Sequence, residues 1–321
     1  MCIRDRVQMD KITVAVPCYN EEPVLDLFYS AITAVAKEFP GTEFEFLFID
    51  DGSRDNTLGK VQSFAQKDSR VKYISFSRNF GKEAGIYAGL ENATGDYVVI
   101  MDADLQDPPS LLPEMYRAIT EEGYDSVGSR RVTRKGEPPL RSFFARLFYK
   151  IINKISDADI VDGARDYQMM NRKVVDAILS MGEYNRFSKG IFGWIGYRKK
   201  WLEYENIERA AGETKWSFWS LMLYAIQGII AFSTAPLVLS SVLGLLCCVL
   251  ALVMIVVIII RTLAFGDPTA GWPSLVCIIL LLSGIQMLGI GILGQYLAKT
   301  YLETKRRPIY LVAQTNIATR K

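Results

Sequence analysis

Two long apolar runs near the carboxyl end set the strongest limit on what this chain can fold into. Residues 235–260 and 272–298 consist almost entirely of apolar and small side chains, interrupted by Ser and Gln. Each run exceeds the roughly 20 residues that a helix needs to cross a bilayer. A buried soluble helix is a weak alternative for runs of this length. We therefore expect a hairpin of two transmembrane helices within residues 234–300.

Charges around the hairpin predict its orientation. Cations lie at residues 198–200 before the first run and at 305–307 after the second, whereas the connecting residues 261–271 carry one Arg and one Asp. The positive-inside rule then places both flanks in the cytoplasm, with a minimal outer loop. We expect a multi-pass protein of the plasma (inner) membrane, with the polar domain, both termini and the tail at residues 301–321 in the cytoplasm.

Two segments outside the hairpin predict helices at the membrane surface. Residues 140–155 combine an aromatic and aliphatic face with a basic face formed by Arg146, Lys150 and Lys154, as in helices that lie in the plane of a bilayer. An ordinary amphipathic helix that covers a sheet fits this segment equally well. Residues 216–233 carry an aromatic cluster of the kind found at headgroup depth, and we expect a juxtamembrane amphipathic helix there.

The composition excludes several functional classes. The chain of 321 residues has a formal net charge of +2 and no long basic run, so we expect no nucleic acid as a partner. It contains no His, which excludes His-based triads, metal ligands and general bases. Its five Cys lack CxxC spacing and predict neither a disulfide framework nor a zinc site. Residues 1–10 are expected to form a tail without a secretory signal, with Met9 as a candidate natural start.

Short apolar runs alternate with helical stretches in the polar part of the chain. Runs at residues 12–17, 44–49, 71–76 and 97–101 have the length and side chains of buried strands, and most end in acid-bearing turns. The alternation predicts an α/β domain at residues 11–215. We expect a doubly wound, mainly parallel sheet that binds its ligands at the carboxyl ends of the strands.

Three further segments carry local predictions. Asn20 is placed to cap the first helix, which is expected to continue to about Phe39. Residues 307–312 have strand character and are expected either to pair with a neighbouring subunit in a homo-oligomer or to add an edge strand to their own sheet. A lone GxGxxG at residues 289–294 lies inside the second apolar run, where glycines allow close helix packing, and it does not predict a dinucleotide site.

The turn after the fourth run is the strongest candidate for a site. Residues 97–101 lead directly into Asp102, with Asp104 and Gln106 just beyond. Because residues two apart in an extended chain project to the same side, Asp102 and Asp104 can present two carboxylates together. Two carboxylates and an amide oxygen suit Mg²⁺ or Mn²⁺ carrying a phosphorylated ligand. Taken by itself, the sequence Asp-Ala-Asp at residues 102–104 is also typical of a polar turn.

Two other charged segments allow both a structural and a functional interpretation. Arg165 and Asp166 lie beside a predicted short strand, where a salt bridge is the ordinary interpretation. Arg209 and Lys215 lie six residues apart in a glycine-containing loop. That loop fits either a clamp for a diphosphate or a solvated surface.

The order and spacing of these motifs resemble the family-2 glycosyltransferases of GT-A fold. More narrowly, the chain is similar to the polyprenyl-phosphate glycosyltransferases, the group of dolichol-phosphate mannose synthase and the bactoprenol glucosyltransferases. The resemblance extends from about residue 12 through the second apolar run. The motifs that carry it are PCYNE at residues 17–21, DDGS at 50–53, RNFGKE at 78–83, DADLQDPP at 102–109, GSR at 128–130, RDY at 165–167 and the loop at 209–215.

The resemblance implies roles for the matching positions. Asp102, Asp104 and Gln106 would hold the divalent ion and the donor diphosphate. Asp166 matches the position proposed as catalytic base, and Asp104 and Arg130 complete the implied catalytic set. The implied substrate-binding residues are Pro17, Tyr19, Glu21 and Asp51 around the nucleoside, Arg209 and Lys215 over the phosphates, Arg130 at the donor or acceptor phosphate, and Asp50, Lys82, Asp102 and Arg165. We also expect Arg141, in the basic helix, to lie where the lipid phosphate emerges.

These roles predict transfer of one sugar, with inversion, from a nucleotide diphosphate sugar to a polyprenyl phosphate in the bilayer. UDP-glucose is favoured as the donor by analogy, and a mannose synthase that uses GDP-mannose is the alternative. A phosphate monoester is already largely ionised at pH 7, since its second pKa is about 6. We therefore expect Asp166 to orient Arg165 or the acceptor more than to remove a proton.

Two other functional classes fit the sequence less well. A processive polysaccharide synthase would carry QxxRW, whereas residues 184–189 read YNRFSK, and one hairpin is too little for a translocation pore. A non-enzymatic membrane scaffold would have lost the metal-binding carboxylates, which are intact here. Analysis of the product separates the first class, and unchanged transfer by Asp104→Ala would indicate the second.

Overall fold

The computed structural model describes residues 9–132, 161, 163–205, 226, 229–230, 233–265 and 271–317. Its strands are β1 (Lys11–Cys18), β2 (Glu43–Asp50), β3 (Val71–Phe76), β4 (Tyr97–Ile100), β5 (Ser126–Arg131), β6 (Ala164–Asn171), β7 (Lys199–Tyr204) and β8 (Val312–Thr315). Its helices are α1 (Leu25–Ala36), α2 (Thr57–Lys67), α3 (Lys82–Asn92), α4 (Leu112–Thr120), α5 (Arg172–Ser180), α6 (Ser188–Trp194), α7 (Ala235–Phe265) and α8 (Trp272–Thr304).

The strands form one mixed sheet in the order β7-β5-β6-β4-β1-β2-β3-β8. β1 to β4 run parallel to one another, as do β5 and β7. β6 is antiparallel to both β4 and β5. The predicted doubly wound, mainly parallel sheet is confirmed, and the chain crosses over repeatedly from strand to helix to strand.

Helices cover both faces of the sheet and bury its apolar side chains. On one face, α1, α2 and α4 contribute Phe28, Phe64 and Met115 to a single core. On the other face, α3, α5 and α6 pack against the same strands. A Cβ atom at Gly89 would lie 2.9 Å from the Cβ of Ala15, so glycine lets α3 pack directly against β1.

The start of α1 differs from the prediction. Asn20 does not cap this helix, which begins at Leu25 and ends at Ala36, before Phe39. Instead, Asn20 adopts a positive φ of 53°, a conformation that Asn tolerates better than most residues. Its side-chain Oδ1 accepts a hydrogen bond from the backbone N–H of Arg54 at 2.8 Å. Asn20 therefore stabilises a turn that contacts the segment after the neighbouring strand β2, and it does not cap a helix.

The tail after α8 returns to the sheet. Residues of β8 pair antiparallel with β3, from Thr315 opposite Ile74 to Val312 opposite Phe76. Of the two predicted alternatives, the structure contains the edge strand added to the chain's own sheet, although the strand begins later than expected.

The two apolar runs form long helices. The windows Ala235–Met254 and Leu281–Thr304 have mean hydropathies of 2.8 and 1.4, and by length and composition both helices can cross a membrane. Large apolar side chains such as Leu239 and Leu250 in α7 and Leu288 in α8 are exposed. The predicted helix at residues 140–155 and most of the one at 216–233 lie outside the described residues.

Candidate active site

The carboxyl ends of the central parallel strands meet at one edge of the sheet, here called the ligand edge. In register, Cys18 at the end of β1 is opposite Asp50 at the end of β2. The turns that follow β1, β2, β3 and β4 therefore lie side by side at this edge. They contain most of the residues that the sequence singled out.

The turns after β1 and β2 are joined by hydrogen bonds. The backbone N–H of Asn20 donates to Ser53 Oγ at 2.9 Å, and that of Glu21 donates to Thr57 Oγ1 at 2.9 Å. Pro17, Tyr19 and Glu21 are half-buried beside this network. The geometry gives the predicted nucleoside residues a rigid setting, and their contact with a nucleoside stays a prediction.

Asp50 and Asp51 are almost fully buried, at 3% and 4% exposure. Asp50 accepts hydrogen bonds from the N–H of Ser53 and from Ser75 Oγ at 3.1 and 2.7 Å. Asp51 accepts from the backbone N–H groups of Phe80 and Gly81 at 2.6 and 2.9 Å. Both carboxylates thus fix the turns of the ligand edge, a role that the sequence did not reveal.

Burial raises the pKa of Asp51 from its usual 3.8 to about 6, and the two backbone N–H donors offset only part of this effect. The adjacent Gly52 has a φ of 64°. A Cβ atom at Gly52 would lie 2.5 Å from the backbone carbon of Arg78, so only glycine fits where the turns after β2 and β3 touch.

Lys82 connects the carboxylate of Asp102, just after β4, with that of Asp166 on β6. Its Nζ lies 2.8 Å from Asp102 Oδ2 and 2.5 Å from Asp166 Oδ2. Ile100 pairs with Gln168 in the antiparallel β4–β6 ladder, and continuing this register brings Asp102 opposite Asp166. We call Asp102 and Asp166 the carboxylate pair.

The charges of the carboxylate pair and Lys82 stabilise one another. Burial by itself would lower the pKa of Lys82, but Asp102 and Asp166 raise that pKa above its usual value. Burial by itself would raise the pKa of Asp166, but Lys82, together with Lys189, holds that pKa well below its usual value. Asp166 is therefore ionised across the physiological pH range. Lys189 was not among the predicted site residues.

Arg165 and Asp166 do not pair with each other. Because neighbouring residues on a strand point to opposite faces, Arg165 reaches Asp107 instead, with 2.9 Å between Arg165 Nε and Asp107 Oδ1. Asp107 is 1% exposed and also accepts a hydrogen bond from the Tyr204 hydroxyl. The expected orientation of Arg165 by Asp166 is thus not what the structure contains, and sequence reasoning missed Asp107 as the buried partner.

The residues predicted to hold a divalent ion can be compared with what such an ion requires. Asp104 is 6% exposed and its Oδ1 accepts from the N–H of Gln106 at 3.2 Å, whereas Gln106 Oε1 accepts from Arg165 Nη2 at 3.3 Å. Among the described residues, no group of three or more Asp, Glu, Cys or His side chains surrounds one point. Mg²⁺ is commonly held by one or two carboxylates plus substrate phosphates. Two carboxylates are enough for such a shared site, and binding of an ion by Asp102, Asp104 and Gln106 stays a prediction.

Of the remaining predicted residues, the structure describes Arg130. Arg130 is 39% exposed and its Nη1 lies 3.5 Å from Glu203 Oε1. Arg141, Arg209 and Lys215 fall outside the described residues, so their predicted contacts with phosphates stay predictions.

A doubly wound sheet with polar, acid-bearing turns at the carboxyl ends of its strands defines an α/β protein that binds its ligand at that edge. The chain belongs to glycosyl transferase family 2, whose family model matches residues 13–179. It is 41% identical over 302 residues to the prophage bactoprenol glucosyl transferase homolog of Escherichia coli (strain K12), covering 94% of this chain and 98% of that protein. It is 40% identical to the bactoprenol glucosyl transferase of Shigella phage SfX, with the same coverage. The protein is therefore a family-2 glycosyltransferase, as the motifs predicted.

Solved structures are more distant. Mannosyl-3-phosphoglycerate synthase from Rubrobacter xylanophilus is 16% identical and aligns with a TM-score of 0.47 over 68% of this chain and 72% of that one.

Proposed function

We propose that the protein transfers one glucosyl group from UDP-glucose to a polyprenyl phosphate at the cytoplasmic face of the membrane, with inversion at the anomeric carbon. The observation that carries this proposal is the carboxylate pair held by Lys82 at the ligand edge. The names of the bacterial and phage relatives, bactoprenol glucosyl transferases, support the lipid acceptor and the glucosyl group.

Mg²⁺ or Mn²⁺ is the proposed cofactor, held by Asp102 and Asp104. When bound, such an ion supplies positive charge for the departing nucleoside diphosphate. Lys82, 2.8 Å from Asp102, adds a second positive charge at the same place, and its charge lowers the pKa of Asp166. Arg209 and Lys215 are proposed to close over the donor phosphates.

Asp166 is proposed to position groups rather than to act as a strong base. Its pKa is held below the usual value by Lys82 and Lys189, against the effect of burial, and a carboxylate with a low pKa is a weak proton acceptor. The phosphate monoester of the acceptor needs no strong base because it is largely ionised at pH 7. We infer that Asp166 orients Lys82 and the acceptor.

The domain layout follows from the same proposal. Residues 11–215 form the catalytic domain, residues 216–233 a juxtamembrane helix and residues 234–300 the membrane hairpin, with the tail at 301–321 returning to the domain. Pairing of β8 with β3 supports placing the end of α8 on the same side of the membrane as the sheet.

The decisive experiment is a donor and acceptor panel with the detergent-solubilised protein. Undecaprenyl phosphate is incubated with UDP-glucose, GDP-mannose and other nucleotide sugars, with Mg²⁺, with Mn²⁺ or with chelator. We expect one sugar per lipid, from UDP-glucose, and loss of transfer in chelator. Transfer from GDP-mannose alone would mean that GDP-mannose, and not UDP-glucose, is the donor. A polymeric product would indicate a processive synthase. Undiminished transfer in chelator would overturn the metal role.

A further inference from the structure

Three consecutive residues at the start of α3 each contact a different part of the molecule. The backbone N–H of Gly81 donates to Asp51 Oδ2 at 2.9 Å. Lys82 bridges the carboxylate pair. Glu83 Oε2 accepts one hydrogen bond from the backbone N–H of Ser188 at 2.9 Å and another from the Ser188 hydroxyl. The start of α3 therefore joins the turn after β2, the carboxylate pair and the first residue of α6.

The contact between Glu83 and Ser188, here called the clasp, is buried. Ser188 is 3% exposed. The first N–H groups of a helix have no partner within that helix, and Phe187, which precedes α6, has no side-chain oxygen to supply one. The Glu83 carboxylate supplies this acceptor from another helix. Removing it would leave a buried N–H and a buried hydroxyl without this acceptor, which is costly, so the clasp holds the start of α6 against α3.

The clasp also fixes the place of Lys189. Lys189 directly follows Ser188 in α6. On the other side of the clasp, Glu83 directly follows Lys82 in α3, whose Nζ lies 2.5 Å from Asp166 Oδ2. Against the effect of burial, Lys82 and then Lys189 lower the pKa of Asp166. Asp166 is thus stabilised by lysines from two helices, and the clasp joins these helices next to both lysines.

The charge of Glu83 and its hydrogen bonds can be separated by substitution. Burial raises the pKa of Glu83, and the charge of Asp166 adds to this effect, whereas Lys82 opposes it. Arg186 is a further cation near this carboxylate. Both hydrogen bonds from Ser188 end on one oxygen, Oε2. A Gln side chain has one carbonyl oxygen that can accept both, whereas Ala has none, so Gln at this position removes the charge and keeps the clasp.

We propose that Glu83 is a positioning residue of the transfer reaction, which acts through Ser188 to hold Lys189 in place beside Asp166. In this role Glu83 does not touch the substrates, and it affects the reaction through the charge of Lys189 at the carboxylate pair. This inference rests on the proposed function, because that function assigns Asp166 to sugar transfer. Residues 184–189, which stand where a processive synthase would carry QxxRW, thereby contribute a lysine to the site.

Substitution of Glu83 tests the clasp by kinetics. Glu83→Ala removes both hydrogen bonds, and we expect kcat for sugar transfer to fall about tenfold, the effect of losing one well-placed contact, with the KM for the nucleotide sugar unchanged. Glu83→Gln keeps both hydrogen bonds and is expected to have a kcat near that of wild type. An unchanged kcat in Glu83→Ala would overturn the proposal. An equally low kcat in both variants would also overturn it, since Glu83 would then act through its charge.

Glu45→Ala is the matched control for loss of a buried carboxylate. Glu45 is 6% exposed, and its Oε2 likewise accepts from a hydroxyl, that of Thr13 at 2.6 Å, and from a backbone N–H, that of Thr94 at 3.0 Å. It lies near the start of β2, at the end of the sheet opposite the ligand edge. We expect this variant to lower the temperature of unfolding and to leave kcat unchanged. A fall in kcat as large as that in Glu83→Ala would reduce the clasp to a contribution to stability.

A double-mutant cycle tests whether Glu83 acts through Lys189. Lys189→Met leaves the clasp intact, so it is informative even if Glu83→Ala fails to fold, and we expect it to lower kcat about tenfold. Adding Glu83→Ala to Lys189→Met is expected to change kcat little further, because the two residues act on one step. Effects that multiply to about 100-fold, or an unchanged kcat in Lys189→Met, would overturn the proposal. Absence of sugar transfer by wild type would contradict the proposed function, whereas an active wild type with multiplying effects contradicts only the positioning role.

Discussion

The two halves of the ligand edge hold their acidic side chains in different ways. In the half formed by β1 and β2, Asp51 accepts hydrogen bonds from two backbone N–H groups. In the half formed by β4 and β6, Asp102 and Asp166 share the side chain of Lys82. Backbone donors are fixed by the fold, whereas a lysine side chain has rotamers that move its charge away. The first half is thus a rigid frame, and the second is where charge can be exchanged with a ligand.

We call the half formed by β4 and β6 the exchangeable half, and removing a charge from it gives the largest expected effect. Asp102→Asn keeps the size of the side chain but removes the negative charge beside Lys82, and we expect kcat/KM for sugar transfer to fall about 10³-fold, as for loss of an electrostatic group in an active site. Glu122→Gln is the control, because Glu122 also pairs with a lysine, Lys200 at 2.8 Å. Glu122 lies in the turn between α4 and β5, at the end of the sheet opposite the ligand edge. Similar activities of the two variants would contradict the assignment of Asp102.

The exchangeable half also contains a charge pair that we expect to be purely structural. Arg165→Met leaves the buried Asp107 carboxylate without its cation, which lowers the free energy of unfolding by about 3 kcal/mol or more. Tyr204→Phe removes one hydrogen bond from the same carboxylate and keeps the ion pair, so we expect a loss of about 1 kcal/mol. Denaturant titration of both variants measures the difference. A larger loss in Tyr204→Phe would show that the ion pair does not hold this turn.

The sequence was sufficient to predict the fold and the acidic turn that follows β4. Apolar runs of strand length that end in acids predicted the parallel strands and the edge at which Asp102 lies. It could not reveal that Asp166 lies opposite Asp102, because that depends on the antiparallel register of β4 and β6, a contact between distant parts of the chain. The partner of Arg165 was missed for a similar reason, since Asp107 reads as part of a polar turn until the fold buries it.

The rigid half is expected to respond to pH in a way that the other half does not. The folded-state pKa of Asp51, about 6, lies above its usual 3.8. The folded protein therefore binds this proton more readily, and its stability falls as pH rises from about 4 to about 6. The loss from this group is at most about 3 kcal/mol, since each pKa unit corresponds to about 1.4 kcal/mol.

Asp51→Asn tests this pH dependence because it stays uncharged. Its stability is lower at every pH, since one amide oxygen replaces two carboxylate oxygens as acceptor for Phe80 and Gly81. However, the slope of its stability against pH between 4 and 6 is expected to be flatter than that of wild type. Unfolding measured at several pH values compares the two slopes. Parallel slopes would mean that Asp51 is already ionised at pH 4 in the folded protein.

The smallest predicted change in activity distinguishes a positioning carboxylate from a base. Asp166→Asn keeps the side-chain shape opposite Asp102 but removes one of the two charges on Lys82, and we expect kcat to fall by about tenfold. If Asp166 were the base, kcat would fall by about 10²-fold or more and the acidic limb of the pH profile would disappear. Because the pKa of Asp166 is held below its usual value, mainly by Lys82 against the effect of burial, its own titration lies below pH 4. An acidic limb near pH 6 then comes from another group, either the acceptor phosphate or Asp51, whose pKa is about 6, and it should persist in the variant.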